Sequence, residues 1–117
     1  MKTYSELVAN DIMPVFRSLL AYRLKSTGIS QERIASIIRV SQPAVSQYLR
    51  GIRAPLNESL QKNEELMKLI GDIANAAPSE GANVYKTEKF MKFCTLMIEQ
   101  KLIPNTEHID DYMKPTS

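Results

Sequence analysis

The chain has 117 residues, of which 44% are apolar and 24% charged, a balance that fits one small globular domain, alone or with an appendage. It has no run of about 18 apolar residues and no N-terminal apolar segment typical of signal peptides, so neither a membrane span nor export is expected. The single cysteine, Cys94, cannot form an internal disulfide, which favours the reducing cytoplasm as the location.

Basic residues are concentrated in the first half of the chain. Residues 1–55 carry eight lysines and arginines against three acidic residues, whereas residues 56–117 carry seven lysines against ten acidic residues. Every arginine precedes residue 54. Because the arginine fork contacts phosphate and guanine in a way that lysine cannot copy, this distribution favours a nucleic-acid partner for the first half, although chance clustering would also explain it.

The spacing of apolar residues predicts helices throughout, without the alternation that is typical of strands. Thr3 and Glu6 have the spacing of a capping box, so a first helix is expected from about residue 4. Pro14 allows two interpretations: a new helix whose N-cap is Asp11, or a kink within one long helix. In both interpretations the helix continues to Gly28, a typical C-terminal stop.

Two short helices are expected next. Ser30 is a good N-cap for the first, and Ser41 is a good N-cap for the second, with Pro43 in its first turn. Gly51 is expected to close the second helix. The apolar face of the first is made of Ile34, Ala35, Ile37 and Ile38.

Longer helices are expected in the second half of the chain. Asn57 is predicted to cap a helix from about 58 to 77, which is followed by a break in the sequence APSEGAN, residues 77–83. A last helix is predicted from about 87 to 102, ended by Pro104. Its apolar face from Phe90 to Leu102 is interpreted as packing, either inside the protomer or across a dimer. The tail after it is either disordered or holds one short helical turn.

The segment QERIASIIRVSQPAVSQYLR, residues 31–50, meets the requirements of two short helices that cross at a tight turn. A small residue, Ala35, stands where the helices touch. The apolar side chains that would pin the pair to the core are Ile34, Ile38, Val40, Val45 and Tyr48. The outward face of the second helix is polar, because Gln42, Ser46 and Arg50 are spaced at i, i+4 and i+8. Pro43 and Gln47 lie beside them.

These residues resemble the helix-turn-helix of the lambda-repressor-like (Xre-type) transcriptional regulators, most specifically in SQPAVSQYLRG, and the resemblance covers residues 5–55. The opening segment, SELVANDIMPVFRSLLAYRLKSTGIS, is also similar to a group of archaeal regulators in which a helix with an embedded proline and arginine precedes the motif. One position departs from the family pattern. Arg39 stands where glycine is usual in the turn, and a left-handed residue other than glycine costs about 1 kcal/mol.

The resemblance implies an all-α helix-turn-helix DNA-binding bundle with additional C-terminal helices. It also implies a sequence-specific transcriptional regulator that places the helix from about 42 to 50 in the major groove of double-stranded DNA. The side chains expected to face base edges are Gln42, Pro43, Ser46, Gln47 and Arg50. Those expected near phosphates are Gln31, Arg39, Ser41, Arg50 and Arg53.

Three regions are therefore predicted: residues 1–55 as the DNA-binding domain, residues 56–103 as C-terminal helices that form a homodimer, and residues 104–117 as the tail. Pairing is expected because one recognition helix reads only a few base pairs. No motif indicates a cofactor, a metal or an enzymatic activity, and a small-molecule effector is left open. The alternative is a helical protein–protein adaptor that reuses the scaffold, supported by the acidic, methionine-containing second half.

Two further groups of residues are candidate sites. Cys94 lies on an apolar face, where core packing is favoured over a redox or metal-binding role. His108, Asp110 and Asp111 could form a weak metal site, but one histidine without spaced cysteines does not indicate one. The operator sequence, the regulated genes and the direction of regulation do not follow from the pattern of residues.

Overall fold

The computed structural model describes residues 3–80 and 83–103, and every regular element within those ranges is helical, which confirms the all-α prediction. The predicted tail, residues 104–117, lies outside the described residues. The elements in chain order are α1 (Tyr4–Leu7), a π-helical turn (Val8–Ile12), α2 (Met13–Ser26), α3 (Gln31–Ile38), α4 (Gln42–Gly51), α5 (Pro55–Leu60), α6 (Glu64–Glu80), a 3-10 turn (Val84–Lys86) and α7 (Glu88–Glu99).

Three predicted N-caps are confirmed. The side-chain oxygens of Thr3, Ser30 and Ser41 each accept a hydrogen bond from the backbone N–H three residues later, at 3.1, 3.2 and 3.2 Å. At the first of these, the Glu6 side chain also reaches back to the backbone of Thr3, which completes the capping box. These local hydrogen bonds fix where α1, α3 and α4 begin.

Pro14 lies within one continuous helical segment that runs from α1 to α2. Proline has no N–H, and its ring clashes with the carbonyl four residues earlier in a regular helix. The backbone widens immediately before it into the π-helical turn, in which the Met13 N–H reaches the Val8 carbonyl. Of the two interpretations of Pro14, the single interrupted helix is therefore confirmed. The N-cap at Asp11 is wrong, because Asp11 lies inside the turn.

Gly28 ends the α2 region as predicted, with φ of +94°. Its N–H bonds to the Lys25 carbonyl at 3.0 Å, and the Ile29 N–H bonds to the Leu24 carbonyl at 3.1 Å. This pair of bonds is a Schellman motif, which requires a left-handed residue and so favours glycine. The chain then turns directly into α3.

The turn between α3 and α4 contains Arg39, the residue that stands where glycine is usual in this motif. Arg39 has φ 60° and ψ 48°, the left-handed conformation in which a side chain is strained. The Val40 N–H bonds across it to the Ala35 carbonyl at 3.1 Å, and Ala35 is only 7% exposed, so the predicted small contact residue is confirmed. The two helices therefore keep a tight turn without glycine.

Gly51 is the last residue of α4, but it does not act as a left-handed stop, because its φ is not positive. A Cβ at this position would lie 3.3 Å from Ser18 Oγ on α2. Glycine is favoured here by the close approach of α4 to α2 rather than by backbone conformation.

The predicted helix from 58 to 77 is wrong at its start. Asn57 does not cap it but lies inside α5, where it is 8% exposed and donates from Nδ2 to the Gly51 carbonyl at 2.7 Å. The chain breaks after Leu60, and Asn63 begins α6 by accepting the Leu66 N–H at 3.1 Å. Asn63 followed by two glutamates was the stronger capping signal in the sequence.

The ends of the last two helices also differ from prediction. α6 continues through Pro78 to Glu80, so it includes four residues of the predicted break, 77–80. α7 begins at Glu88, after its N-cap Thr87 and close to the predicted start near 87, but it ends at Glu99 rather than near 102. Pro104 is not the cause. Lys101 adopts φ 52°, and the Leu102 N–H bonds back to the Met97 carbonyl at 2.9 Å, so a second Schellman motif closes the helix.

One hydrophobic cluster joins the buried residues of all the helices, with α2 at its centre. α2 packs against α3, α4, α5 and α6. Phe16 on α2 is fully buried, and its ring centroid lies 4.6 Å from Phe90 and 5.2 Å from Phe93, both in edge-on geometry. Tyr85 lies 5.9 Å from Phe16 on the same side. The apolar face of α7 is thus used for packing inside the protomer.

Replacing the strained turn residue tests its backbone cost. Arg39→Gly should raise the free energy of unfolding by about 1 kcal/mol relative to Arg39→Ala, because only glycine adopts this conformation without a Cβ penalty. Both variants lose the same exposed charge, so Arg39→Ala is the matched control. Urea unfolding followed by circular dichroism measures the difference, and equal stabilities would show that the turn relaxes around a side chain.

Candidate nucleic-acid interface

α4 has one buried side and one exposed side. Val45 is fully buried, and Tyr48 and Leu49 are partly buried against the core. The predicted base-facing residues lie on the other side of the helix. Gln42, Pro43, Gln47 and Arg50 are exposed, and Ser46 is partly exposed.

Ser46 is held by a contact with α3. Its hydroxyl donates to Gln31 Oε1 at 3.2 Å, so the first residue of α3 and the middle of α4 are joined by a side-chain bond across the turn. Gln31, Ser46, Leu49, Arg50 and Arg53 line one open cleft of about 510 Å³. Four of the nine predicted contact residues are therefore neighbours in space as well as in the motif.

Ser41 and Arg39 lie at the exposed end of α4, where the sequence predicts phosphate contacts. Ser41 Oγ is already used as the N-cap for the Ala44 N–H, and Pro43 has no N–H. The free backbone amides expected at this helix end are therefore reduced to those of Ser41 and Gln42.

Positive charge surrounds the exposed face of α4. Between residues 31 and 53 the chain has four arginines against one acidic residue, Glu32. Arg39, Arg50 and Arg53 are exposed. The fourth, Arg33, points elsewhere: its Nη2 donates to the Pro78 carbonyl at 2.6 Å in the last turn of α6, where a cation interacts favourably with the negative helix end.

A DNA-reading helix pair has three features that are present here. Its two short helices meet at a tight turn, its apolar side faces the core, and its polar side, bordered by arginines, faces solvent. Residues 19–69 match the family model described as helix-turn-helix. The matched segment is therefore similar to helix-turn-helix domains of the Xre, lambda-repressor-like kind. Domains of this kind are typical of DNA-binding regulators. No curated protein and no solved structure matches the chain.

The matched segment begins within α2, includes all of α3, α4 and α5, and ends within α6. It covers less than half of the 117 residues. The α1 region, α7 and most of α6 therefore lie outside the helix-turn-helix match, and the similarity to archaeal regulators stays a prediction.

Two residues outside the matched segment, Arg17 and Tyr85, contact the helix-turn-helix domain and are not predicted by the sequence analysis. Arg17 on α2 and Tyr85 in the 3-10 turn form a polar group with the hydroxyl of Tyr48 on α4. An arginine and two tyrosines separated by tens of residues leave no local signal. The only hint was the arginine embedded in the first long helix.

Cys94 is 2% exposed within the core, which confirms its interpretation as packing. Among residues 3–80 and 83–103, no group of three or more potential ligands is arranged to hold a metal ion. The predicted weak metal group, His108, Asp110 and Asp111, lies outside those ranges. No helix within the same ranges has the length and apolar composition needed to cross a membrane.

The buried thiol should be chemically inert in the folded protein. Burial raises the pKa of Cys94 to about 12 from its ordinary 9.0. Because the thiolate is the reactive species, this shift lowers its population at pH 8 by about a thousandfold. Reaction with a chromogenic disulfide reagent should be at least about 100-fold slower in buffer than in 8 M urea. Comparable rates in both solutions would contradict the burial.

Proposed function

We propose that the protein is a sequence-specific double-stranded DNA-binding regulator of transcription that places α4 in the major groove. The observation that carries this proposal is the two-sided character of α4. Gln42, Gln47 and Arg50 are exposed together, while Val45 on the opposite side is fully buried. A helix docked this way brings polar side chains to the base edges without unpacking the core.

The residue types fit direct reading of bases. Glutamine bonds bidentately to adenine and arginine to guanine, so Gln42, Gln47 and Arg50 are assigned to base edges. Pro43 and Ser46 contribute contacts at the same face. The Gln31–Ser46 hydrogen bond, at 3.2 Å, orients both side chains before DNA arrives, which lowers the entropy lost on binding.

A second set positions the domain on the phosphate backbone. Gln31 and Arg53 border the cleft beside Arg50, and Arg39 and Ser41 lie at the other end of α4. Backbone contacts of this type fix orientation and supply affinity that depends on salt, but they carry no base information. Substitutions in the two sets should therefore have different effects on discrimination between DNA sequences and on the salt dependence of binding.

The regulator acts as a homodimer through its C-terminal region, residues 56–103. One recognition helix reads only a few base pairs, and two-fold pairing doubles the contacts and selects half-sites about 10 bp apart or a multiple of it. Because the apolar faces of α6 and α7 pack largely within the protomer, pairing uses their outer surface. Met91 on α7, which is 59% exposed, supports that choice.

The proposal also includes three general properties of the protein: a relation to archaeal regulators, a cytoplasmic location, and a role in binding rather than in catalysis. The first is supported by the helical opening segment with its embedded Pro14 and Arg17. The others are supported by the lone, buried cysteine and by a positively charged helix-turn-helix face, which are ordinary in DNA-binding proteins.

Selection of bound fragments from a random DNA library tests the proposal as a whole. A symmetric pair of short motifs should emerge, with a spacing that reports the dimer. Gel shifts at several salt concentrations and retention on heparin complete the test. An adaptor would elute early from heparin, enrich no motif and show no salt-dependent shift, and no feature of the described residues favours it.

Removing one base-reading side chain should reduce discrimination. Gln47→Ala should weaken binding to the selected site by about 1–3 kcal/mol, because a bidentate contact is lost, while binding to unrelated DNA stays nearly the same. Titrations on both DNAs at one salt concentration measure the two affinities. An equal loss on both would show that Gln47 does not read a base.

Removing one backbone contact should act differently. Arg53→Ala should weaken binding to all sequences and reduce the slope of log affinity against log salt by about 0.9, the value for one phosphate contact. Lys25→Ala is the matched control, because it removes an exposed charge from α2, outside both α4 and the proposed pairing surface. If the two variants have the same salt slope, Arg53 is not at the backbone.

A further inference from the structure

A polar network connects the C-terminal region to both helices of the helix-turn-helix. Arg17, half-buried on α2, donates from Nε to the Tyr85 hydroxyl at 3.0 Å and from Nη1 to the Tyr48 hydroxyl at 3.3 Å. Its guanidinium carbon lies 5.4 and 5.9 Å from the centres of the same two rings. The Tyr85 hydroxyl in turn donates to the Ile38 carbonyl.

The network contacts both helices of the motif, at Ile38 and at Tyr48. Ile38 is the last residue of α3, directly before the strained Arg39, and its carbonyl is one of those that a helix end leaves without an intrahelical partner. Tyr48 lies in the middle of α4. The Tyr85–Arg17 pair therefore holds the end of one motif helix and the body of the next.

We propose that Tyr85 and Arg17 are positioning residues that set the orientation of α4 against α3, so that the C-terminal region takes part in DNA reading. This inference rests on the proposed function. Tyr85 lies in the 3-10 turn before α7, beyond the last residue of the helix-turn-helix match. It is therefore an addition to the motif, contributed by this chain's own C-terminal region.

Hydrogen bonds can fix the orientation of α4 against α3 because, unlike apolar contacts, they depend on direction. The apolar contacts between the two helices, such as those of Ile34 and Val45, depend on buried area and tolerate small rotations. A base contact does not tolerate them, because hydrogen bonds weaken steeply when distance or angle departs from the ideal. The guanidinium of Arg17 is a planar fork with donors in fixed directions, so it holds two hydroxyls in one relative geometry.

The hydroxyl of Tyr85 can be separated from the packing of its ring. The ring lies 5.9 Å from Phe16 and 5.7 Å from Phe90, contacts that phenylalanine would keep. Burial raises the pKa of Tyr85, so the hydroxyl remains protonated and able to donate to Ile38 at neutral pH. Tyr85→Phe therefore removes the two hydrogen bonds and leaves the aromatic cluster.

The test compares Tyr85→Phe with Tyr22→Phe, in which the same atom is removed from an exposed tyrosine on α2. Affinities for the selected DNA and for unrelated DNA are measured well below the unfolding midpoint of each variant. Tyr85→Phe should weaken binding to the selected site about 5- to 10-fold and leave unrelated DNA within about twofold, because only base reading needs the orientation. Tyr22→Phe should change neither.

A second readout follows the helices directly. Backbone amide chemical shifts of α3 and α4 should move in Tyr85→Phe and in Tyr48→Phe but not in Tyr22→Phe. Because both tyrosines act through Arg17, the double variant Tyr48→Phe/Tyr85→Phe should lose less than the product of the two single losses in affinity. Arg17→Lys, which keeps the charge without the fork, should reproduce the loss of discrimination.

Three outcomes decide the matter. Unchanged amide shifts and wild-type discrimination in Tyr85→Phe would overturn the positioning role. Equal losses on selected and unrelated DNA, in proportion to the unfolded fraction, would also overturn it and leave Tyr85 as a stabilising residue. If the wild-type protein itself selects no DNA motif, the proposed function fails, a result that no Tyr85 variant is needed to see.

Discussion

The central position of α2 in the hydrophobic core is the constraint on which the rest of the structure depends. α3, α4, α5 and α6 all contact it, and its Phe16 lies within a cluster of three further aromatic rings supplied by the C-terminal region. A helix in this position must be apolar around most of its circumference, which is why its pattern shows no narrow stripe. Arg17, a partly buried charged residue on this helix, donates hydrogen bonds to two tyrosines.

A core organised in this way leaves the outer side of α4 free. Val45 and the buried residues of α3 pack in the core. Gln42, Gln47 and Arg50 are exposed, so the packing of the core does not depend on them. The same reasoning separates the arginines. Arg17 and the exposed Arg33 donate hydrogen bonds within the protein, and the exposed Arg39, Arg50 and Arg53 lie around the proposed interface.

The turn between α3 and α4 combines a strained backbone residue with a hydrogen bond from outside the motif. Arg39 pays for a left-handed conformation that glycine would adopt without cost, and the neighbouring Ile38 carbonyl is stabilised from outside the motif by Tyr85. The appended α7 region supplies both that hydroxyl and the rings around Phe16. The C-terminal helices and the helix-turn-helix thus share one hydrophobic cluster and one polar network. The network joins the 3-10 turn before α7 to α4 through side-chain contacts between segments that are distant in sequence.

Local sequence determined the features whose physics is local. The caps at Thr3, Ser30 and Ser41, the stop at Gly28 and the two-sided pattern of α4 follow from hydrogen bonds and periodicity within a few residues. Tertiary structure decided the rest. Asn57 is a suitable N-cap by residue type, but it lies inside α5 and donates a hydrogen bond to the Gly51 carbonyl, and a left-handed Lys101 ends α7 before any proline. The joining of Arg17, Tyr48 and Tyr85 depends on distances between segments that are 31 and 68 residues apart, which no pattern along the chain encodes.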